Sequence, residues 1–129
     1  MADERYDNPK INDCRDLTAW RKAMGLVKRV YGATKLFPKD EMYGLTQQIR
    51  RAVVSVPSNI AEGYGRGSLG DYIRFLQVAR GSLFELETQV IVASDLEYLT
   101  EKQADSLIED IRQCTRVLQG LITKLKGKQ

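Results

Sequence analysis

The final third of the chain sets the tightest limit on what it can fold into. Ala104, Leu107, Ile111, Cys114, Leu118, Leu121 and Leu125 recur in alternating steps of three and four residues. That period is one face of an α-helix sustained over about three heptads, and a strand, whose side chains alternate every second residue, cannot produce it. Thr100-Glu101-Lys102-Gln103 precedes the run. It reads as a capping box, in which the threonine hydroxyl and the glutamine amide each satisfy a backbone N–H left over at a helix start. The pattern predicts a helix over 101–126.

Three earlier segments carry the same period. Leu17, Trp20, Met24, Val27, Tyr31 and Thr34, with Asp16 as a candidate N-cap, predict a helix over 16–36. Phe37-Pro38-Lys39-Asp40 then breaks it, because proline disfavours helical geometry in the residue before it. Leu45, Ile49, Ala52 or Val53, Val56 and Ile60 predict a second helix over 41–63, kinked near 53–57, where Pro57 removes a backbone donor at a cost of about 3 kcal/mol. Tyr72, Leu76, Ala79, Leu83, Leu86, Val90 and Ala93 predict a third over 69–97. Residues 1–14 lack periodicity and are expected to form a mobile N-terminal segment ahead of one all-α domain over 15–126. A chain of 129 residues is one domain's worth.

Gly65, Gly67 and Gly70 match the G-x-G-x-x-G spacing of dinucleotide-binding loops. That fingerprint requires a strand before the first glycine, and here a helix precedes it. Gly63 reads better as the C-terminal cap of the second helix, Gly65 and Gly67 as the reversal, and Ser68-x-x-Asp71 as the cap of the third, so no nucleotide cofactor is expected. Histidine is absent, which removes the commonest general base and zinc ligand. Cys14 and Cys114 have no metal-ligand spacing and read as free thiols. Glu85 and Glu87, two apart on a helix, point to different faces and cannot flank one bond. The expectation is a protein without enzymatic activity, cofactor or metal. No run of about 18 apolar residues and no apolar leader is present, which predicts a cytoplasmic protein with no membrane partner.

The segments Asp16-Leu17-x-x-Trp20, Phe37-Pro38-x-x-Glu41-x-x-Gly44-Leu45, Gln48-x-x-Arg51-Ala52, Ser55-x-Pro57-x-Asn59-Ile60-Ala61-Glu62-Gly63 and Gly81-Ser82-x-x-Glu85-Leu86 together resemble the bacterial family named for proteins encoded in intervening sequences of 23S ribosomal RNA genes. The resemblance implies an up-down-up-down, left-handed four-helix bundle that assembles into a ring, commonly a pentamer. A related bundle serves as an accessory protein to reverse transcriptases in diversity-generating elements. The family brings no settled activity and hence no catalytic residues.

Two groups of polar residues stand out. Gln48, Arg51, Ser55, Asn59 and Glu62 line the second helix at helical steps. In an antiparallel pair Arg51 comes level with Ser82 and Glu85, with Gly81 allowing close approach, so Arg51, Ser55, Asn59, Ser82 and Glu85 are expected to form a buried structural network rather than an anion site. Charge is uneven despite a net +3: residues 15–80 hold 12 Lys or Arg against 5 acids, 81–110 hold 1 against 8, and 111–129 hold 5 against none. Arg21, Lys28 and Lys35 repeat every seven residues beside Lys22 and Arg29. In an up-down bundle Arg15, Arg21, Lys22, Arg66, Arg74, Lys124, Lys126 and Lys128 collect at one end, and Asp95, Glu97, Glu101 and Asp105 at the other.

A ring would turn this polarity into a basic and an acidic rim. Arg21, Lys22, Lys28 and Arg66 are therefore the candidate contacts to RNA or single-stranded DNA. The alternative is a scaffold or accessory subunit that docks a protein, such as a nucleic-acid enzyme, by charge complementarity. Self-association is also suggested by apolar residues beyond one seam, namely Leu26, Val30, Phe75, Phe84, Ile91, Ile108 and Ile122.

Overall fold

A computed structural model of the chain describes residues 14–129. The expected mobile segment 1–14 falls almost wholly outside them. Four helices account for most of what is described: α1 (Cys14–Thr34), α2 (Leu45–Gly65), α3 (Leu69–Asp95) and α4 (Glu101–Lys126), with a short 3₁₀ turn at Lys39–Glu41. No strand occurs among the described residues. α1 packs on α2 and α4, and α3 packs on α2 and α4, while neither diagonal pair touches. This is the closed square of a four-helix bundle, its neighbours antiparallel because the turns between them are short. The order of cross-helix contacts shows the reversal directly, since Arg80 meets Gln119 whereas Glu87, further along α3, meets Arg112, earlier on α4.

The core follows the three-four period. Every α3 and α4 position of the apolar series is buried, with Leu83, Leu86, Ile111, Leu118 and Leu121 fully so. Removing a fully buried leucine from such a seam costs about 2–5 kcal/mol, through lost transfer energy and the cavity left behind. α1 departs from expectation. Its core line is Ala19, Ala23, Leu26 and Val30, whereas Met24 and Tyr31 are exposed and Trp20 and Val27 half-buried. Two alanines let α1 lie close against its neighbours, and the larger side chains flank the contact. Leu26, Val30 and Ile122 are therefore core residues, not surplus apolar surface; Phe75 and Ile108 are half-buried, and Phe84 and Ile91 remain exposed.

Helix ends differ from the sequence reading for identifiable reasons. α1 is already helical at Cys14, the first described residue, which puts Asp16 within the helix rather than at its cap. α2 starts at Leu45 and not at 41, because Gly44 takes a non-helical conformation (φ −114°, ψ −117°) and the Glu41 carboxylate accepts from the Leu45 N–H at 3.2 Å. Pro57 is held within one continuous helix. Gly63 is not a cap. It is buried inside α2, and a Cβ there would meet Phe75 Cβ at 2.6 Å, so α2 and α3 approach closely at this point. The reversal falls to Gly67 at φ +81°, after which the Ser68 hydroxyl accepts from the Asp71 N–H at 3.2 Å and starts α3. The capping box at Thr100 forms as expected, with both reciprocal hydrogen bonds present.

Candidate nucleic-acid interface

Positions seven apart on a helix lie nearly above one another, about 10 Å apart along the axis. Arg21, Lys28 and Lys35 accordingly stand on the outer face of α1, all exposed, with Lys22 and Arg29 turned toward α4. Arg29 is committed to holding the two helices together: its guanidinium pairs with Asp110 and donates to the Ser106 hydroxyl at 3.2 Å. Lys22 stands near enough to Cys114 on α4 for its charge to act on that thiol. Burial outweighs this and pushes the free Cys114 thiol up to about 11. The side chain of Cys14 lies outside those described.

Lys28 is not at the basic end of the bundle. With Arg29 and Gly32 it lines a groove between α1 and α4, whose other wall is Thr100, Lys102, Gln103 and Ser106. The groove thus collects lysines from residues over 70 positions apart. Lys102 was not singled out in the sequence because no local signal links it to α1. Arg66 sits elsewhere, just past the end of α2. It pairs with Glu62 at 3.2 Å, and its guanidinium lies 5.0 Å from the Phe75 ring centroid. Arg74 covers the same ring at 4.6 Å and reaches Asp71 at 3.4 Å. Two of the arginines assigned to the basic end therefore have local carboxylate partners, and the acidic end, with exposed Asp95, Glu97, Glu101 and Asp105, also holds exposed Lys39 and Lys102. Arg21, Lys22 and Lys28 share α1, and Arg66 does not join them.

The polar line on α2 forms only in part. The Ser55 and Ser82 hydroxyls share a hydrogen bond at 2.6 Å, and the Ala52 and Val78 carbonyls lie 2.7 and 3.3 Å from them as further acceptors. Asn59 donates to the Ser55 carbonyl at 2.7 Å. Arg51 and Glu85 are exposed and stay out of this cluster; Glu85 instead accepts from Gln89 at 3.3 Å. The buried Arg51–Glu85 network is thus replaced by a half-buried serine pair, and Gly81, with nothing near its absent Cβ, does not create the close approach. Long charged side chains at the outer edge of a seam reach water at little cost, whereas serines are short enough to meet across it.

Among the described residues no group of three or more acidic, cysteine or histidine side chains is placed to hold a metal ion. No helix among them is long and apolar enough to cross a membrane.

A family model described as 23S rRNA-intervening sequence protein matches residues 15–120. Among solved structures, the chain is similar to the crystal structure of a protein with unknown function from the S23 ribosomal protein family of Bacteroides thetaiotaomicron. The two are 24% identical, with a TM-score of 0.78 over 84% of this chain and 98% of that one. That likeness speaks to fold alone. No curated protein matches.

Proposed function

From the premise that the chain belongs to the 23S rRNA-intervening sequence protein family, a family without an assigned activity, we propose that it is a non-enzymatic, homo-oligomeric, cytoplasmic protein that binds RNA or single-stranded DNA electrostatically. The observation that carries this reading is the exposed row of Arg21 and Lys28 on one face of α1, with Lys22 beside it and Lys102 of α4 across the Lys28 groove. Phosphates spaced along a flexible strand suit such a row, because each neutralised phosphate releases a counterion and no base need be read. Tyr64 is half-buried and Tyr72 buried, so base stacking contributes little and sequence preference is weak.

Assembly into a ring, with a pentamer as the expected number, is supported by the outer face of α3, where Val78, Phe84, Ile91 and Val92 are all exposed. A ring presents several copies of the α1 row to one strand, so individually weak contacts add through avidity.

The test is fluorescence anisotropy of labelled single strands across a salt series. The expected result is binding whose log affinity falls against log salt with a slope of about −0.7 per phosphate contacted. Reversing Arg21 and Lys28 to Glu is expected to weaken binding and flatten that slope. Binding indifferent to the reversals, or absent at low salt, overturns the reading. It then favours a scaffold that docks a protein partner, such as a nucleic-acid enzyme, through the same charges.

A further inference from the structure

Beside the lysine row, along the edge of α1 that faces α2, lies a groove of about 500 Å³ lined by Tyr31, Met42, Thr46, Gln47, Arg50 and Arg51 and by none of Arg21, Lys28 or Lys35. It brings together two guanidiniums and no carboxylate. Arg50 is held in place: its Cζ lies 4.6 Å from the Tyr31 ring centroid, and its Nε donates to the Thr34 hydroxyl at 2.9 Å. Thr34 is itself fixed by donating to the Val30 carbonyl at 2.9 Å. This anchoring uses the Nε–H and leaves the terminal nitrogens of Arg50 without a protein acceptor among the described residues. Arg51, on the next position of the helix, is exposed and has no polar partner among them either.

Among the described residues, neither acid of the adjoining turn forms an ion pair with Arg50 or Arg51; Glu41 accepts instead from the Tyr98 hydroxyl and the Leu45 N–H. The third observation is Thr46. It is only 7% exposed, and its hydroxyl has no hydrogen-bond partner among the described residues. An orphaned buried hydroxyl is unfavourable unless something satisfies it, and a single χ1 rotation exchanges its position with that of the methyl group.

We propose that this groove is a binding site for the phosphate group of a small phosphate monoester. A dianion matches two uncompensated guanidiniums, which grip phosphate oxygens in a fork geometry that lysine cannot reproduce. The Gln47 amide supplies a further donor, and Met42 with Val54 forms an apolar wall for the organic part of the ester. A carboxylate leaves one guanidinium unpaired. The site is separate from the α1 row and does not depend on nucleic-acid binding.

The test is titration of the full chain with phenyl phosphate at low ionic strength, followed by the arginine Nε–H and threonine methyl resonances. Benzoate and dimethyl phosphate, the latter a mimic of a nucleic-acid diester, are titrated in parallel. Phenyl phosphate is expected to shift the Arg50, Arg51 and Thr46 signals and to bind at least about tenfold more tightly than either monoanion. Arg51→Gln is expected to lower that affinity by at least about tenfold while leaving the melting temperature unchanged. Thr46→Val is expected to weaken it without loss of stability. Arg21→Glu with Lys28→Glu is expected to leave it intact, which separates failure of this site from failure of the nucleic-acid reading. Equal affinity for the three probes, or an Arg51→Gln protein that binds as well as the parent, overturns the proposal. So does an Arg51→Gln protein that changes its assembled mass but not its affinity, which would make the groove a contact between copies of the chain.

Discussion

The Tyr98 hydroxyl donates to Glu41 Oε2 at 2.8 Å, tying the turn before α2 to the turn before α4 across the end of the bundle. The other oxygen of Glu41 accepts from the Leu45 N–H and caps α2, while the Phe37 and Tyr98 rings pack 5.5 Å apart beneath. The Tyr98 hydroxyl and then the Leu45 amide hold the Glu41 carboxyl below its ordinary 4.5. The same hydrogen bond, with burial and the charges of Glu41 and Asp40, raises the Tyr98 phenol above 10.0. The stability supplied by Glu41 is therefore present above 4.5 and lost as pH falls through its lowered value. That supplied by Tyr98 is present below 10.0 and lost as pH rises through its raised value. Tyr98→Phe is expected to lower the melting temperature at neutral pH and to flatten both limbs. Thermal unfolding from about pH 3 to 11 measures this, and parallel profiles for the two proteins would refute it.

The glycines separate by what surrounds them. Gly63→Ala forces a Cβ to within 2.6 Å of Phe75 Cβ and is expected to cost roughly 1–3 kcal/mol. Gly67→Ala meets no atom but must hold φ +81°, at about 1–2 kcal/mol. Gly81→Ala has open space and an ordinary helical backbone, and is expected to stabilise by about 0.5–1 kcal/mol. Denaturant unfolding of the three variants tests the order, and a stabilising Gly63→Ala would show the α2–α3 contact to be looser than the structure has it.

Much of this fold is legible from period and caps alone, since α3 and α4 bury every residue of their apolar series and Thr100 and Ser68 cap where their spacing places them. Where the apolar period misleads along the helices, small residues take the packing positions. Ala19 and Ala23 face the core where Met24 and Tyr31 do not, and Gly63 works as a packing surface rather than a helix stop. The α2 start was hidden because Glu41 serves as a cap only through its contact with Tyr98, 57 residues away. The basic row on α1 was visible in its seven-residue repeat, but nothing local reveals that Lys102 joins it or that Arg66 pairs with Glu62. Nor does the dipeptide Arg50-Arg51 show that Arg50 is pinned on Tyr31.

Glu97 holds φ +64° in the turn after α3, where the Tyr98 N–H returns to the Ala93 carbonyl at 2.9 Å. A side chain in that conformation costs about 1–2 kcal/mol, of which glycine's greater freedom in the unfolded chain gives back about 0.4–1. Glu97→Gly is expected to raise stability by several tenths to about 1 kcal/mol, and a drop in the chemical denaturation midpoint would contradict this.

Cys114 is 2% exposed, and its thiol is pushed up to about 11, so native protein holds very little thiolate at neutral pH. An aromatic disulfide reagent is expected to label Cys114 only at the rate of bundle opening, with full reaction in denaturant. Labelling of this residue in native protein as fast as in denaturant would mean that α4 separates readily from its neighbours.

The Ser55–Ser82 hydrogen bond gives a sharper measure of the α2–α3 seam than the charged residues flanking it. Each hydroxyl has one proton, so two protons serve the contact between them and the Ala52 and Val78 carbonyls. Removing either hydroxyl breaks the bond between them, at about 0.5–1.5 kcal/mol, and leaves the other to donate to its own helix carbonyl. That bond can be lost only once, so Ser55→Ala with Ser82→Ala is expected to cost less than the two single changes added together. Arg51→Ala and Glu85→Ala, both exposed, are expected to fall within about 0.5 kcal/mol of the parent. A double-mutant cycle on the serines, with the two charged variants measured alongside, reads all of this from chemical denaturation. Strict additivity of the serine changes, or a loss of about 3 kcal/mol in Glu85→Ala, would restore the buried Arg51–Glu85 network in place of the serine pair.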